Sequence, residues 1–167
     1  MEYYLKSIEA GEDNGGVNYN NVGMRYWDMD ENEKAIEYLL KASELGAKDV
    51  FNAIGENYAE MGDTDRALEY YLKSIEANEN MEGANYSNAA NLYYNMKESD
   101  KAFEYALKAE ELESANGTFI VALCYGNGVG VEQDYAKAME YCLKAQERGY
   151  KGSNLAEAIE ILKGLGY

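Results

Sequence analysis

The chain has 167 residues, 47% of them hydrophobic, enough to bury a core and to exclude a disordered chain; one domain of ordinary size is the expectation. Its 31 acidic against 15 basic side chains give a formal net charge of −16, which repels phosphate backbones and anionic bilayers, so neither nucleic acid nor a membrane surface is expected as a partner. There is no histidine, which excludes Ser-His-Asp and Cys-His nucleophile arrangements and every histidine-bearing metal site, and no enzymatic activity is expected.

The chain opens with Glu2-Tyr-Tyr-Leu-Lys-Ser-Ile-Glu-Ala10, and the same nine residues recur as Glu69 to Ala77. That identity sets the register of an internal repeat. It reads the first segment as the second helix of a helical pair. The following pairs are predicted over Val17–Met29 with Asn32–Leu45, Asp49–Met61 with Thr64–Ala77, and Ala84–Met96 with Ser99–Leu112. A fourth pair is built from the dense apolar run Thr118–Tyr125 and from a helix after Asp134, in which Ala138, Tyr141, Cys142 and Ala145 lie on one face. Between its helices stands Gly126-Asn-Gly-Val-Gly-Val131, which reads as a tight reversal. One more first helix spans Asn154–Lys163. About ten helices result: a half repeat over 1–14, repeats over about 17–46, 49–78, 84–113 and 116–149, and a terminal half repeat over 153–167, all within a single domain of 1–167.

Spacings support the alignment. Tyr26, Tyr58, Tyr93 and Tyr125 are 32, 35 and 32 residues apart, and Ala35, Ala67, Ala102 and Ala138 are 32, 35 and 36 apart. Three residues before each tyrosine stands Gly23, Gly55, Ala90 or Ala122, small enough to admit the paired helix closely. Each second helix carries a glutamate with a lysine four residues on: Glu2 and Lys6, Glu37 and Lys41, Glu69 and Lys73, Glu104 and Lys108, Glu140 and Lys144. These are expected to be surface pairs contributing roughly 0.2–0.5 kcal/mol each.

At Tyr125-Gly-Asn-Gly-Val-Gly-Val131, Asp134, Lys137-Ala138 and Lys144-Ala145 the chain resembles the Sel1-like repeats, a branch of the tetratricopeptide-like helical solenoids. The central repeats, with short turns at Asp28-Met-Asp30 and Met61-Gly-Asp63, resemble ordinary tetratricopeptide repeats. The chain departs from the pattern in having no proline, and its cysteines do not sit where disulfide-bearing secreted members place theirs. The resemblance implies an all-α fold, a right-handed superhelical solenoid of antiparallel helix pairs whose first helices line a concave groove. It implies a protein or peptide ligand there.

The periodicity identifies the stripe beside the paired face of each first helix. It comprises Asn20, Met24 and Trp27; Asn52, Glu56 and Ala59; Ser87, Asn91 and Tyr94; and Phe119, Leu123 and Gly126. The candidate groove residues are Asn20, Met24, Trp27, Asn52, Glu56, Ser87, Asn91, Tyr94 and Phe119. An asparagine offers both a donor and an acceptor and can satisfy a ligand's backbone amide whatever its side chain; Asn21 and Asn88 lie one step round the helix. The alternative is a solvated polar face. Trp27 reads either as an aromatic anchor for the ligand or as packing against the next repeat. The acidic balance favours a basic or amide-rich ligand.

The remaining motifs point to no cofactor and no metal. Asp28-Met-Asp30-Glu-Asn32 imitates the start of a calcium loop, but Glu33 and Leu39 replace the glycine and glutamate such a loop needs. The glycine loop at 126–131 lacks the lysine of a phosphate loop. Cys124 and Cys142 read as small core residues. With no apolar signal segment and no disulfide framework, a cytoplasmic setting is favoured. Leu5 and Ile8 on the first helix, and Leu155, Ile159 and Leu162 on the last, are expected to lack partners within the chain. The competing reading is therefore a scaffold or a fragment of a longer array that self-associates end to end.

Overall fold

The structure of the protein, a computed structural model, describes residues 1–78 and 83–167. Among the described residues there are ten helices and no strand: α1 (Glu2–Glu9), α2 (Val17–Trp27), α3 (Asn32–Glu44), α4 (Phe51–Glu60), α5 (Thr64–Glu76), α6 (Ala84–Asn95), α7 (Ser99–Glu111), α8 (Ala115–Asn127), α9 (Tyr135–Glu147) and α10 (Asn154–Gly164). They fall into two compact units, Met1–Asn80 and Met81–Tyr167. In the first unit α2 pairs with α3 and α4 with α5; in the second α6 pairs with α7 and α8 with α9.

Each pair closes around the small residue of its first helix. A Cβ added at Gly23 would stand 2.8 Å from Leu39 Cγ, and one at Gly55 would stand 2.7 Å from Tyr71 Cδ1. Ala90 and Ala122 hold the same place in the second unit, and both are buried. Around this contact the aromatic rings repeat a fixed arrangement. Tyr38 of α3 lies 6.0 Å from Tyr19 and 5.3 Å from Tyr26. Tyr70 of α5 lies 6.4 Å from Phe51 and 5.5 Å from Tyr58. Tyr105 of α7 lies 6.0 Å from Tyr86 and 5.2 Å from Tyr93. In the α8–α9 pair Tyr125 and Tyr141 stack at 5.7 Å, and Thr118 stands where the other pairs place the second first-helix ring.

The paired lysines have a second role. Lys73, Lys108 and Lys144 stand 4.4, 5.0 and 5.7 Å over the rings of Tyr70, Tyr105 and Tyr141. A further cation one residue before each repeat alanine does the same for the first-helix tyrosine: Lys34 over Tyr26, Arg66 over Tyr58, Lys101 over Tyr93 and Lys137 over Tyr125. Of the five expected glutamate–lysine pairs, Glu2–Lys6, Glu69–Lys73 and Glu104–Lys108 form at 2.6–2.8 Å. Lys41 instead meets Glu44, and Lys144 reaches across to Glu110 of α7.

Three helix starts are capped by an Asp or Ser side chain, whereas Ser153 at the start of α10 makes no such bond. Asp63 accepts from Arg66 N, Ser114 from Gly117 N and Asp134 from Lys137 N, each satisfying an orphan amide of the first turn. The expectation that the apolar face of the last helix lacks a partner is corrected. Leu155, Ile159 and Leu162 are buried in one cluster with Phe119, Ala122 and Cys142, so α10 uses that face inside the unit. On α1 no residue is buried, and Leu5 and Ile8 remain half-buried.

Cys124 and Cys142 are free and buried, as the sequence reading expects of small core residues. Burial pushes the Cys124 thiol from 9.0 up to about 12 and that of Cys142 up to about 11. Tyr71 moves the same way, chiefly through burial and then through Glu56 and Glu60 of α4. All three hold their protons more tightly when folded, so their stabilisation is complete below pH 9 and is lost as pH rises through the folded values. Thermal melts should therefore show a plateau through neutral pH and a decline beginning near pH 9, with Cys124→Ala making that alkaline decline shallower. An alkaline limb unchanged by the substitution would contradict this assignment.

Candidate partner-binding faces

Within the first unit the predicted stripe lies on α2 and α4. Met24 is exposed, while Asn20 and Trp27 are half-buried. The Trp27 indole donates to Glu60 Oε2 of α4 at 2.9 Å, tying the end of one first helix to the end of the next. Asn52 is only 1% exposed, and its amide donates to Glu56 Oε1 at 3.0 Å. Asn57, also buried, donates to the Ala53 carbonyl at 2.8 Å, while its Oδ1 has no hydrogen-bond partner. The asparagines of α4 thus face inward, and the residues this unit offers to solvent on the stripe are Met24 and Ala59.

The second unit presents a different surface. Between α6, α8 and the start of α10 lies a cavity of about 220 Å³. Its apolar lining comes from Phe119, Ile120 and Leu123 of α8 and from Tyr150 in the α9–α10 connection. Its polar lining is Ser87, Asn88 and Asn91 of α6, Asn116 of α8 and Asn154 of α10. Asn91, Asn116 and Asn154 are exposed, whereas Ser87 and Phe119 are 2% exposed and line the inner part. Ser87 returns its hydroxyl to the Ala84 carbonyl at 2.9 Å. The Tyr150 ring stacks on Phe119 at 4.4 Å, and its hydroxyl donates to Asn154 Oδ1 at 3.0 Å. Tyr94 lies outside the cavity and accepts from Asn127 Nδ2 at 2.8 Å.

Helical spacing alone brought Ser87, Asn91 and Phe119 together, and the structure places all three on one cavity. It does not assemble Asn52, whose burial fits it to hold α4 in place. Tyr150 and Asn154 escaped the sequence reading because they belong to a connection and a helix start, where the repeat period carries no information.

Elsewhere in the second unit α7, α8 and the end of α9 are joined by a partly buried network. Arg148 donates to the Glu110 carbonyl and to Glu110 Oε1, both at 3.1 Å, and also reaches Thr118 Oγ1. The Glu110 side chain is 13% exposed and that of Arg148 19%. This network fixes the angle at which α8 presents its cavity residues. Among the described residues no group of three or more His, Cys, Asp or Glu could hold a metal ion, and no helix is long and apolar enough to cross a membrane.

Residues 18–47, 48–81 and 84–116 match the family model described as tetratricopeptide repeat, more than half of the chain. The chain belongs to the tetratricopeptide-repeat family. Residues 115–150 of this tetratricopeptide-repeat protein match the Sel1 repeat, the segment that carries the glycine loop. No curated protein is similar to the chain in sequence. Among solved structures it is similar to YrrB, "a TPR protein with an unusual peptide-binding site", at 18% identity and a TM-score of 0.73 over 98% of this chain and 83% of that one. It is similar to a Sel1 repeat protein from Oxalobacter formigenes at 19% identity and a TM-score of 0.70, over 90% and 64% of the two chains. The APC/C hetero-tetramer Cut9-Hcn1 is matched at 17% identity and a TM-score of 0.70, with 88% of this chain spanning 29% of that one. These likenesses show the fold, an all-α repeat solenoid.

Proposed function

We propose that the protein holds an extended segment of a partner protein against the exposed faces of its first helices, with the cavity of the second unit as the principal seat. The observation that carries this reading is the cavity itself, where three exposed asparagine amides stand around an apolar floor. Amides of this kind can serve a peptide backbone as donor and acceptor at once, and an apolar floor rewards one buried side chain. The peptide-binding site named for YrrB supports the same use of the fold. The net charge of −16 favours segments with basic flanks and makes their capture faster at low salt.

Asn91 and Asn116 are exposed and free of packing duties, so changing both to alanine should weaken binding roughly tenfold while shifting the melting temperature by less than about 2 °C. The check is a titration of wild type and double variant with peptides selected on the wild type. Equal affinity for the two proteins would remove the cavity from the account.

Self-association is the second reading. Ile161, Leu165 and Tyr167 at α10 are each more than half exposed, as is Tyr3 on α1. Light scattering across a concentration series separates the two: a mass that grows with concentration favours assembly, and a constant mass favours the receptor.

A further inference from the structure

The cavity of the second unit carries no formal charge on any lining residue, in a protein whose charged residues make up 28% of the chain and sum to −16. From this we infer that the bound segment is anchored by one large uncharged side chain, aromatic or branched aliphatic, seated in the cavity, and that basic residues act only at its flanks. The inference rests on the groove reading above and narrows the ligand class that reading leaves open.

Size, charge and rigidity argue for it independently. A cavity near 150 Å³ lined by aliphatic and aromatic side chains already takes a benzene ring, so about 220 Å³ admits a phenylalanine or leucine side chain together with part of its backbone. A lysine or arginine seated there would give up its hydration against Phe119, Ile120 and Leu123 with no lining carboxylate to receive it, and an uncompensated desolvated charge is costly. The wall is also fixed in advance. Tyr150 is held through its ring by Phe119 at 4.4 Å and through its hydroxyl by Asn154 at 3.0 Å, so little side-chain freedom is lost when a ligand ring packs beside it. Asn91 and Asn116 then meet the backbone on either side of the anchor. The long-range field of the acidic surface sets the rate of encounter, while the uncharged cavity sets the residence time, so salt slows association and leaves dissociation nearly unchanged.

The test is selection of a random-sequence peptide display library on the full chain, repeated on Leu123→Glu and on Asn91→Asp, with each variant's fold checked by circular dichroism. Peptides enriched on the wild type should share one Phe, Leu, Met, Tyr or Trp at a fixed position. Changing that residue to alanine should cost about tenfold in affinity or more, and changing it to lysine should cost at least as much. Leu123→Glu should abolish the enrichment. Asn91→Asp, at an exposed position that leaves the fold untouched, should weaken the selected peptides about threefold or more. With peptides whose flanks carry no Lys or Arg, a basic anchor predicts the opposite sign for Asn91→Asp, tighter binding, and that result overturns the inference while leaving the groove reading in place. Enrichment of Lys- or Arg-anchored peptides overturns it in the same way. If no peptide enriches on the wild type, the groove reading and the inference fall together.

Discussion

Replacing Gly130 by alanine should destabilise the protein by about 3 kcal/mol, the sum of a left-handed backbone penalty and a forced shift of a helix end. Gly130 has φ +69°, and a Cβ there would lie against the backbone carbonyl oxygen of Ser99 at the start of α7 and 2.8 Å from Phe103 Cβ. Backbone cannot rotate away as a flexible side chain can, so the loop or α7 must move. For a chain of this size that loss corresponds to a fall in melting temperature of about 6–12 °C. Gly128, two residues earlier in the same loop, is the internal control. Its φ is +66°, but the nearest atom to an added Cβ is Gln133 Cβ at an ordinary 3.5 Å. Gly128→Ala should therefore cost only the conformational part, about 1 kcal/mol. Equal losses at the two positions would show that the loop does not seat on α7 as described.

The second large effect is expected at Arg148. Substitution by methionine keeps the aliphatic stem but leaves Glu110, 13% exposed, with Lys144 as its one remaining cationic partner, and strips a donor from Thr118 and from the Glu110 carbonyl. Leaving such groups partly unsatisfied should cost about 2 kcal/mol. Lys6→Ala removes an ion pair whose two side chains are 71% and 84% exposed, and the change should stay within about 0.5 kcal/mol. A double-mutant cycle of Arg148→Met with Glu110→Gln should return a coupling of about 1 kcal/mol. Because Arg148 also holds Thr118, one residue before Phe119, the same variant should weaken peptide binding even where the protein remains folded. Chemical denaturation followed by far-ultraviolet circular dichroism measures both energies.

Much of this architecture was legible in the sequence because the repeat period and the small–large pairing encode it locally. That Gly23 and Gly55 admit the paired helix closely follows from spacing, although which residues they meet, Leu39 and Tyr71, does not, and the observed helices differ from the predicted ones by only a few residues at their ends. The departures come where distant parts of the chain compete for one side chain. Lys144 has Glu140 one turn away but meets Glu110, brought close only when α9 packs on α7. Asn52 falls on the right helical stripe, yet its burial in α4 depends on its neighbouring helices, which spacing does not position. The cavity shows both sides of this. Ser87, Asn91 and Phe119 lie on periodic helix faces and could be named, whereas Tyr150 reaches the site from a connection whose path no period describes.

Ligands are expected to meet the first helices and not the second helices. Amide chemical shifts of the isotope-labelled chain, followed as a selected peptide is titrated in, test it most directly. The largest changes should fall on Asn88, Asn91, Asn116 and Leu123 and on the side-chain amides of the asparagines, with the exposed faces of α7 and α9 unmoved. Changes centred on the exposed residues of α7 and α9, or on Tyr3, Ile161 of α10 and Leu165 just after it, would contradict it.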